Sequence, residues 1–237
     1  MLTFHRLRQT WTRDVDHYVA LTEFARNKFI EGGLPGERIT VKPNFADIPA
    51  PEPAIQRGAM LYVGRLTPEK GIKTLLAAFG YSGNQKLGII GDGPLSSDVR
   101  TSAERYDSIR YLGRCPEAKT YQHMASAQAV VVPSEWYEPF GRVVVEAYAN
   151  CTPVIASRSG GLSELVDDGR TGLLFEPGNA DDLAAKVLWA AEHPVEMRRM
   201  GENARREYEA KYTPERNYEM LMDIYEQAIA HARQRRA

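Results

Sequence analysis

Ser134-Glu-Trp-Tyr-Glu-Pro-Phe-Gly-Arg-Val-Val-Val-Glu-Ala-Tyr-Ala-Asn150 is the stretch on which the reading of the chain turns. It follows a short apolar run, Ala129-Val-Val-Val-Pro133, of the kind that forms a strand buried on both faces of a parallel sheet. Within it Phe140, Val143, Val144 and Ala147 recur at i, i+3, i+4 and i+7, the spacing of an apolar helical face. Pro139 is expected to open that helix, at a position that needs no N–H donor. Gly141 then falls in the first turn and lets another group approach the backbone. The free N–H groups and the positive end of the helix dipole make an anion site there. Glu138 stands just before the helix and Glu146 two turns in, with Arg142 four residues from each. An ionised carboxylate only accepts hydrogen bonds, so the pair suits a hydroxyl-rich group such as ribose or a hexose. Taken singly, Glu138 also reads as a helix-start acid favoured by the dipole, and Glu146 as a solvated surface charge.

Working outward, a regular alternation surrounds this stretch. Strands are expected at Ala59–Val63, Lys86–Ile90, Ile109–Leu112, Ala129–Val132, Pro153–Ala156 and Thr171–Phe175. Between and after them come helices at Glu69–Gly80, Leu95–Tyr106, Glu117–Ala127, 140–150, Leu162–Val166, Asp181–Ala191 and Val195–Lys211. Strands alternating with helices at this spacing imply right-handed crossovers and an α/β, doubly wound parallel sheet. A last helix, about 214–231, carries Tyr218, Leu221, Met222, Tyr225 and Ile229 on one face. Ahead of the alternation, residues 1–16 read as helical, His17–Thr22 and Arg38–Lys42 as strands, and Glu23–Glu31 as a helix stopped by Gly32-Gly33. Pro49-Ala-Pro-Glu-Pro53 reads as a semi-rigid linker.

Composition bounds the function. The chain has 237 residues, 43% hydrophobic and 26% charged, with a net charge of -1. That is ordinary for a globular protein and gives no electrostatic case for nucleic acid or an anionic membrane. No apolar run approaches the ~18 residues of a membrane span, and the start lacks the apolar core of a signal peptide. Cys115 and Cys151 have no metal-ligand spacing, which points to the reducing cytoplasm. No metal-ligand cluster is visible, so no metal and no cofactor are expected.

Three more strand ends carry residues suited to a ligand, since parallel sheets bind beyond the carboxyl ends of their strands. In Gly64-Arg65-Leu66-Thr67-Pro68-Glu69-Lys70-Gly71, Thr67 and Pro68 suit a helix start. Lys70 in the first turn opposes the helix dipole, which a resident anion would offset; pairing with an acid or exposure to water is the alternative. Gly91-Asp92-Gly93-Pro94 is a tight turn, and Leu112-Gly113-Arg114 ends the third strand.

Together these motifs resemble a known family. Glu138-Pro-Phe-Gly and Arg142-Val-Val-Val-Glu-Ala147, with seven residues between the two acids, resemble the donor-site signature of retaining nucleotide-sugar glycosyltransferases of the GT-B fold, group 1. Gly64-Arg-Leu-x-x-x-Lys-Gly71 is similar to the same family's phosphate-binding motif. The resemblance implies that Arg65 and Lys70 hold the donor diphosphate and, with Glu138, serve catalysis. It implies that Glu138 bonds donor-sugar hydroxyls, Glu146 the ribose, and the Phe140, Gly141, Arg142 and Val143 backbone the sugar and phosphate oxygens. Gly64, Gly91 and Arg114 complete the donor pocket, Arg114 beside the backbone that reads the base. Gly160-Gly161 reads as structural, and Trp136 and Tyr137 as core or rim packing, with walling of the pocket as the alternative.

The resemblance also implies a domain plan: a remnant of the acceptor domain at 1–48, a linker at 49–57, the Rossmann-like donor-binding domain at 58–212, and a helix at 213–237 packing toward the remnant. Its partners are a UDP-, GDP- or ADP-sugar as substrate and a carbohydrate or other hydroxyl acceptor. Transfer is expected to be incomplete without the rest of the acceptor domain; the alternative is a non-catalytic nucleotide-sugar-binding subunit, or a half-enzyme needing a partner chain. An epimerase or phosphorylase of the same fold is a further rival, less well matched by these motifs. Val19, Leu21, Phe24, Phe29, Ile30 and the apolar face of the last helix are expected to lie bare and to favour self-association.

Overall fold

The computed structural model describes residues 5, 9–49, 57–81 and 85–236. The larger part is a six-stranded, all-parallel sheet. Its strands are β3 (Met60–Val63), β4 (Leu87–Ile90), β5 (Ile109–Gly113), β6 (Val130–Val132), β7 (Val154–Ser157) and β8 (Gly172–Phe175), in the order β5-β4-β3-β6-β7-β8. The order reverses between β3 and β6, the kind of switch point outside which open parallel sheets bind their ligands. Ahead of this sheet, β1 (Tyr18–Ala20) and β2 (Ile39–Val41) form a parallel pair. A short helix α1 (Thr10–Arg13) precedes them and α2 (Glu23–Glu31) links them.

The sheet is covered on both faces, and its strands read as near-continuous apolar runs for that reason. Alternate residues feed two cores. Met60, Tyr62, Leu87, Ile89, Val131, Ile155 and Phe175 pack on one side against α3 (Ile72–Tyr81), α4 (Ser96–Arg105), α8 (Ala180–Glu192) and the start of α9 (Pro194–Lys211). Leu61, Ile90, Val130, Val132, Val154, Ala156 and Leu174 pack on the other. There they meet α5 (Glu117–Ser126), α6 (Arg142–Ala149), the short α7 (Leu162–Leu165) and the later turns of α9. Fully buried Tyr148 on α6 reaches across this layer, its hydroxyl meeting Leu165 O at 3.0 Å and Thr171 Oγ1 at 2.7 Å.

The last helix, α10 (Pro214–Arg236), runs beyond the expected end near residue 231. It ties the amino-terminal unit to the sheet domain. Lys42 Nζ donates to Asn217 Oδ1 at 2.9 Å, Asn217 Nδ2 donates to Pro43 O at 2.7 Å, and the His17 and His231 rings stack with centroids 5.5 Å apart. The face that docks holds buried Asn217 and Ile224. It is offset from the apolar stripe, which lies bare as expected: Tyr218, Met222, Tyr225 and Ile229 stay exposed, and only Leu221 of that set is half-buried. Val19, Phe29 and Ile30 are exposed as expected. Leu21 and Phe24 are not bare: Leu21 packs on the core and Phe24 lies against Tyr137, with ring centroids 5.4 Å apart.

Two boundaries differ from the sequence reading, at Pro68 and at Pro139. Residues 1–4 and 6–8 of the expected first helix, and most of the proline-rich 49–57 stretch, lie outside the described residues. Pro68–Lys70 is a single 3₁₀ turn, and α3 begins only at Ile72. Pro139 does not open α6: the helix starts at Arg142 with Gly141 as its cap, and Phe140 is buried in the loop before it. Its ring stands edge-on to Tyr212, 6.2 Å away, so a core contact sets its place outside the helix.

Candidate active site

The loops after β3, β4, β5 and β6 meet at the carboxyl edge of the sheet, and the contacts between them are backbone on backbone. Gly91 has φ 146°, and a β-carbon there would lie 1.8 Å from Gly64 O. Leu66 N donates to Asp92 O at 2.9 Å, and Gly91 N to Gly113 O at 2.9 Å. Gly71 has φ 70°, and a β-carbon there would lie 1.8 Å from Pro133 O. Only glycine fits such approaches at positive φ. Gly64, Gly91 and the Gly113-Arg114 turn are thus drawn together, and the β3 loop is pressed against the β6 loop.

The pressed loops bring Lys70 to Glu138. The two form an ion pair, and Ser134 Oγ donates to the same Glu138 Oε1 at 2.8 Å. The Glu138 side chain is 9% exposed and that of Lys70 21%. Both contacts converge on Oε1, leaving Oε2 to accept from a ligand hydroxyl. The backbone that carries Glu138 is held from beneath: Gly161 N donates to Glu138 O at 2.7 Å, and Ser159 Oγ to Trp136 O at 3.0 Å. Glu135, its neighbour on the same loop, accepts from Thr74 Oγ1 at 2.6 Å.

Beyond Glu138 comes α6, where Val144 N donates to Gly141 O at 2.9 Å and the N–H groups of Arg142 and Val143 lie at the positive end of the dipole. Arg142 and Glu146 pair along the helix at 2.9 Å. Burial raises the Glu146 carboxyl above its ordinary pKa, while Arg142 pulls it back down. Tyr121, whose hydroxyl bonds Glu117, is raised by burial too, with Glu146 adding to the effect.

The two arginines stand outward. Arg65 pairs with Glu69 at 3.8 Å with its side chain 69% exposed, and Arg114 pairs with Asp92 at 3.2 Å. Hydrogen bonds from Ser96 and the Gly93 N–H, with Arg114 contributing, lower the Asp92 pKa. Tyr62 is buried behind the β3 loop, where its hydroxyl donates to Arg65 O at 2.7 Å and fixes that residue's backbone. Trp136 and Tyr137, expected to pack, are 43% and 69% exposed, and the Trp136 ring lies 5.5 Å from Lys70 Nζ.

Lys70 and Glu138 are therefore direct partners, and Glu146 and Arg142 are direct partners. Arg65 is a rim cation paired with an acid of its own loop, and Arg114 one paired with Asp92 of the neighbouring β4 loop. Phe140 and Val143 offer backbone only, since the Phe140 side chain is buried and Val143 packs on the core. The sequence reading assigned no role to Ser134 or Ser159. Ser134 lies four residues before Glu138, but loop spacing carries no periodic signal that would reveal such a bond.

The sheet is thus doubly wound and parallel, with the start of α6 and two carboxylates, Glu138 and Glu146, beside its reversal point. The same architecture occurs in Anabaena HepE solved in complex with UDP, with a TM-score of 0.82 and 24% identity over 89% of this chain and 64% of that one. The sequence matches glycosyl transferases group 1 over residues 48–207, more than half of its length. The chain belongs to that family. It is 36% identical over 170 residues to an uncharacterized glycosyltransferase of Methanocaldococcus jannaschii, covering 70% of this chain and 47% of the relative. It is 30% identical over 214 residues to a glycogen synthase of Mycobacterium tuberculosis, covering 85% of this chain and 51% of that one. The chain thus spans about half the length of these curated relatives. Among the described residues, no helix is long and apolar enough to cross a membrane.

Proposed function

We propose that this chain binds a nucleotide-sugar and supplies the donor half of a sugar transfer that retains anomeric configuration. The observation that carries the reading is the convergence of Lys70 and Ser134 on one oxygen of the buried Glu138, at the mouth of α6. Glu138 Oε2 holds a sugar hydroxyl and so fixes the hexose pose. Glu146, at the far end, takes the ribose hydroxyls. Between them the α6 N–H groups, Lys70 and the rim cation Arg65 face the diphosphate. As the glycosidic C–O bond breaks, the diphosphate leaves with the bonding pair. These fixed positive groups meet the charge as it forms, which is where electrostatic preorganisation lowers a barrier. The acceptor hydroxyl oxygen forms the new bond to the anomeric carbon on the face the diphosphate leaves, and its proton passes to an oxygen of the departing diphosphate.

In this reading positive side chains and a helix end do the work of a cation, so the reaction needs no metal and no cofactor. The acceptor is a carbohydrate or another hydroxyl compound, held with groups that this chain does not itself supply. Two free cysteines, Cys115 and Cys151, suit a reducing cytoplasm. The exposed residues Tyr218, Met222, Tyr225 and Ile229 form an apolar stripe that meets a second copy of the chain. Light scattering should show association rising with concentration, and a monodisperse monomer at high concentration contradicts that element.

The central test is calorimetric titration with UDP-, GDP- and ADP-sugars, with and without EDTA, beside a transfer assay. We expect one donor to bind with EDTA making no difference, and transfer by this chain alone to be poor. Absence of binding to every donor refutes the reading. Robust transfer to a defined acceptor refutes the half-site element alone.

A further inference from the structure

The loop that carries Glu138 is held from a second side, by the amino-terminal unit. Thr22, 1% exposed, ends the segment after β1 and caps α2. Its hydroxyl accepts from Ala25 N at 3.1 Å and donates to Pro139 O at 2.9 Å. One hydroxyl therefore spends its proton on the loop and a lone pair on the helix. The same junction is clamped by Glu164 of α7, whose two carboxylate oxygens accept from Glu23 N at 3.0 Å and Phe24 N at 3.1 Å. Phe24 in turn lies against Tyr137. Residues 137–139 are thus gripped between the Ser159–Gly161 turn and the start of α2. Pro139 has no N–H of its own, so its carbonyl is the backbone handle available there.

We infer that Thr22 is a positioning residue for the sugar end of the site, acting on Glu138 through Pro139. The inference rests on the nucleotide-sugar reading above and deepens it. Glu138 can meet Lys70 and Ser134 while offering Oε2 to a sugar hydroxyl only if its backbone is fixed, and Thr22 fixes the next residue. Arg142 and Glu146 sit on α6 and pair with each other, so their hold on a nucleotide does not pass through Thr22.

This predicts a split between two ligands. The full chain is titrated with a nucleoside diphosphate and its sugar conjugate: UDP and UDP-glucose first, then GDP with GDP-mannose and ADP with ADP-glucose if the uridine pair does not bind. Thr22→Val is expected to weaken the sugar conjugate about tenfold, the size of one lost directing hydrogen bond, and the bare diphosphate by less than about twofold. Thr22→Ser restores the hydroxyl and should restore the difference. Glu164→Ala, on an exposed side chain, loosens α2 without touching Thr22 and should shift the ratio the same way by about threefold. A general loss of structure would weaken both ligands alike, so equal losses overturn the inference. So does an unchanged ratio in folded Thr22→Val, or a Thr22→Ser variant no better than valine. If Thr22→Val does not fold, an unchanged ratio in Glu164→Ala overturns it. If the unmodified chain binds none of the pairs, the nucleotide-sugar reading itself falls.

Discussion

Glu138 and Glu146 stand at the two ends of one crevice-lining element, and the molecule holds them in opposite ways. Glu138 is nearly buried and is met by Lys70 from another loop and by Ser134 from its own. Glu146 has one partner, Arg142, four residues back on the same helix and 60% exposed. The first carboxylate is part of the architecture, because its cation arrives from sixty-eight residues away and seals two loops together. The second is paired within a single helix. Its burial raises its pKa, so its charge is held against the preference of its surroundings. A residue kept at a cost to the fold is a candidate for ligand contact; one that also supports the fold has two reasons to be there.

The largest expected effect lies at the Glu138 end. Lys70→Ala leaves a nearly buried carboxylate without its cation and should cost about 3 kcal/mol, the low end for a broken buried pair because Lys70 keeps some contact with water. In a chain of this size thermal unfolding should move down by roughly 6–12 °C. Adding Glu138→Gln to Lys70→Ala removes the stranded charge and should return most of that loss. If the double variant is no more stable than the single, the ion pair is not what fastens the loops.

Arg65→Ala should separate binding from folding. Its partner Glu69 lies at 3.8 Å and both side chains are solvated, so stability should change by less than about 0.5 kcal/mol. Binding of a nucleoside diphosphate should fall about tenfold. A matching loss of melting temperature would contradict Arg65 as a rim cation.

The smallest effect should have the opposite sign. For Glu146 the folded pKa is raised, so the folded state takes up its proton more readily than the unfolded chain. The stabilisation this gives is present below the ordinary carboxylate pKa and is lost as pH rises through the raised value. At neutral pH Glu146→Gln should therefore be slightly stabilising, by about 0.5 kcal/mol, while nucleotide binding weakens. Melting curves for the pair of proteins should converge as pH is lowered through the raised value and below the ordinary carboxylate range, where Glu146 is neutral folded and unfolded. A variant that is less stable at neutral pH would erase the contrast between the two ends.

The sheet and its helices were readable from the sequence because each element announces itself locally. Apolar strand runs such as Val130–Val132 and helical spacing such as that of α6 are periodic signals over a few residues. The candidate site was nominated for a different reason: the paired glutamates, Gly64-Arg65 and Lys70-Gly71 stand at strand ends in a recognisable order. What escaped were contacts closed by the tertiary fold. The start of α6 slipped from Pro139 to Arg142 because Phe140 is drawn into the core beside Tyr212. The face of α10 that docks was not named from the sequence, because Asn217 and Ile224 make no apolar stripe; the larger apolar groups lie on the outer side, bare as expected. Ser134 and Thr22 gave no sign, since one hydroxyl among many becomes informative only when its acceptor is known.

The approach of Gly71 to Pro133 has a consequence for how such a crevice can change. With no room for a single carbon between the two segments, they move as one rigid wall, and neither tolerates an inserted residue without a matching change in the other. New ligand preferences must then arise through side-chain replacement along the rim, at Arg65, Arg114, Trp136 and Tyr137, where solvent leaves freedom. A selection for altered substrate choice should accumulate its substitutions there and leave the glycine-lined floor untouched.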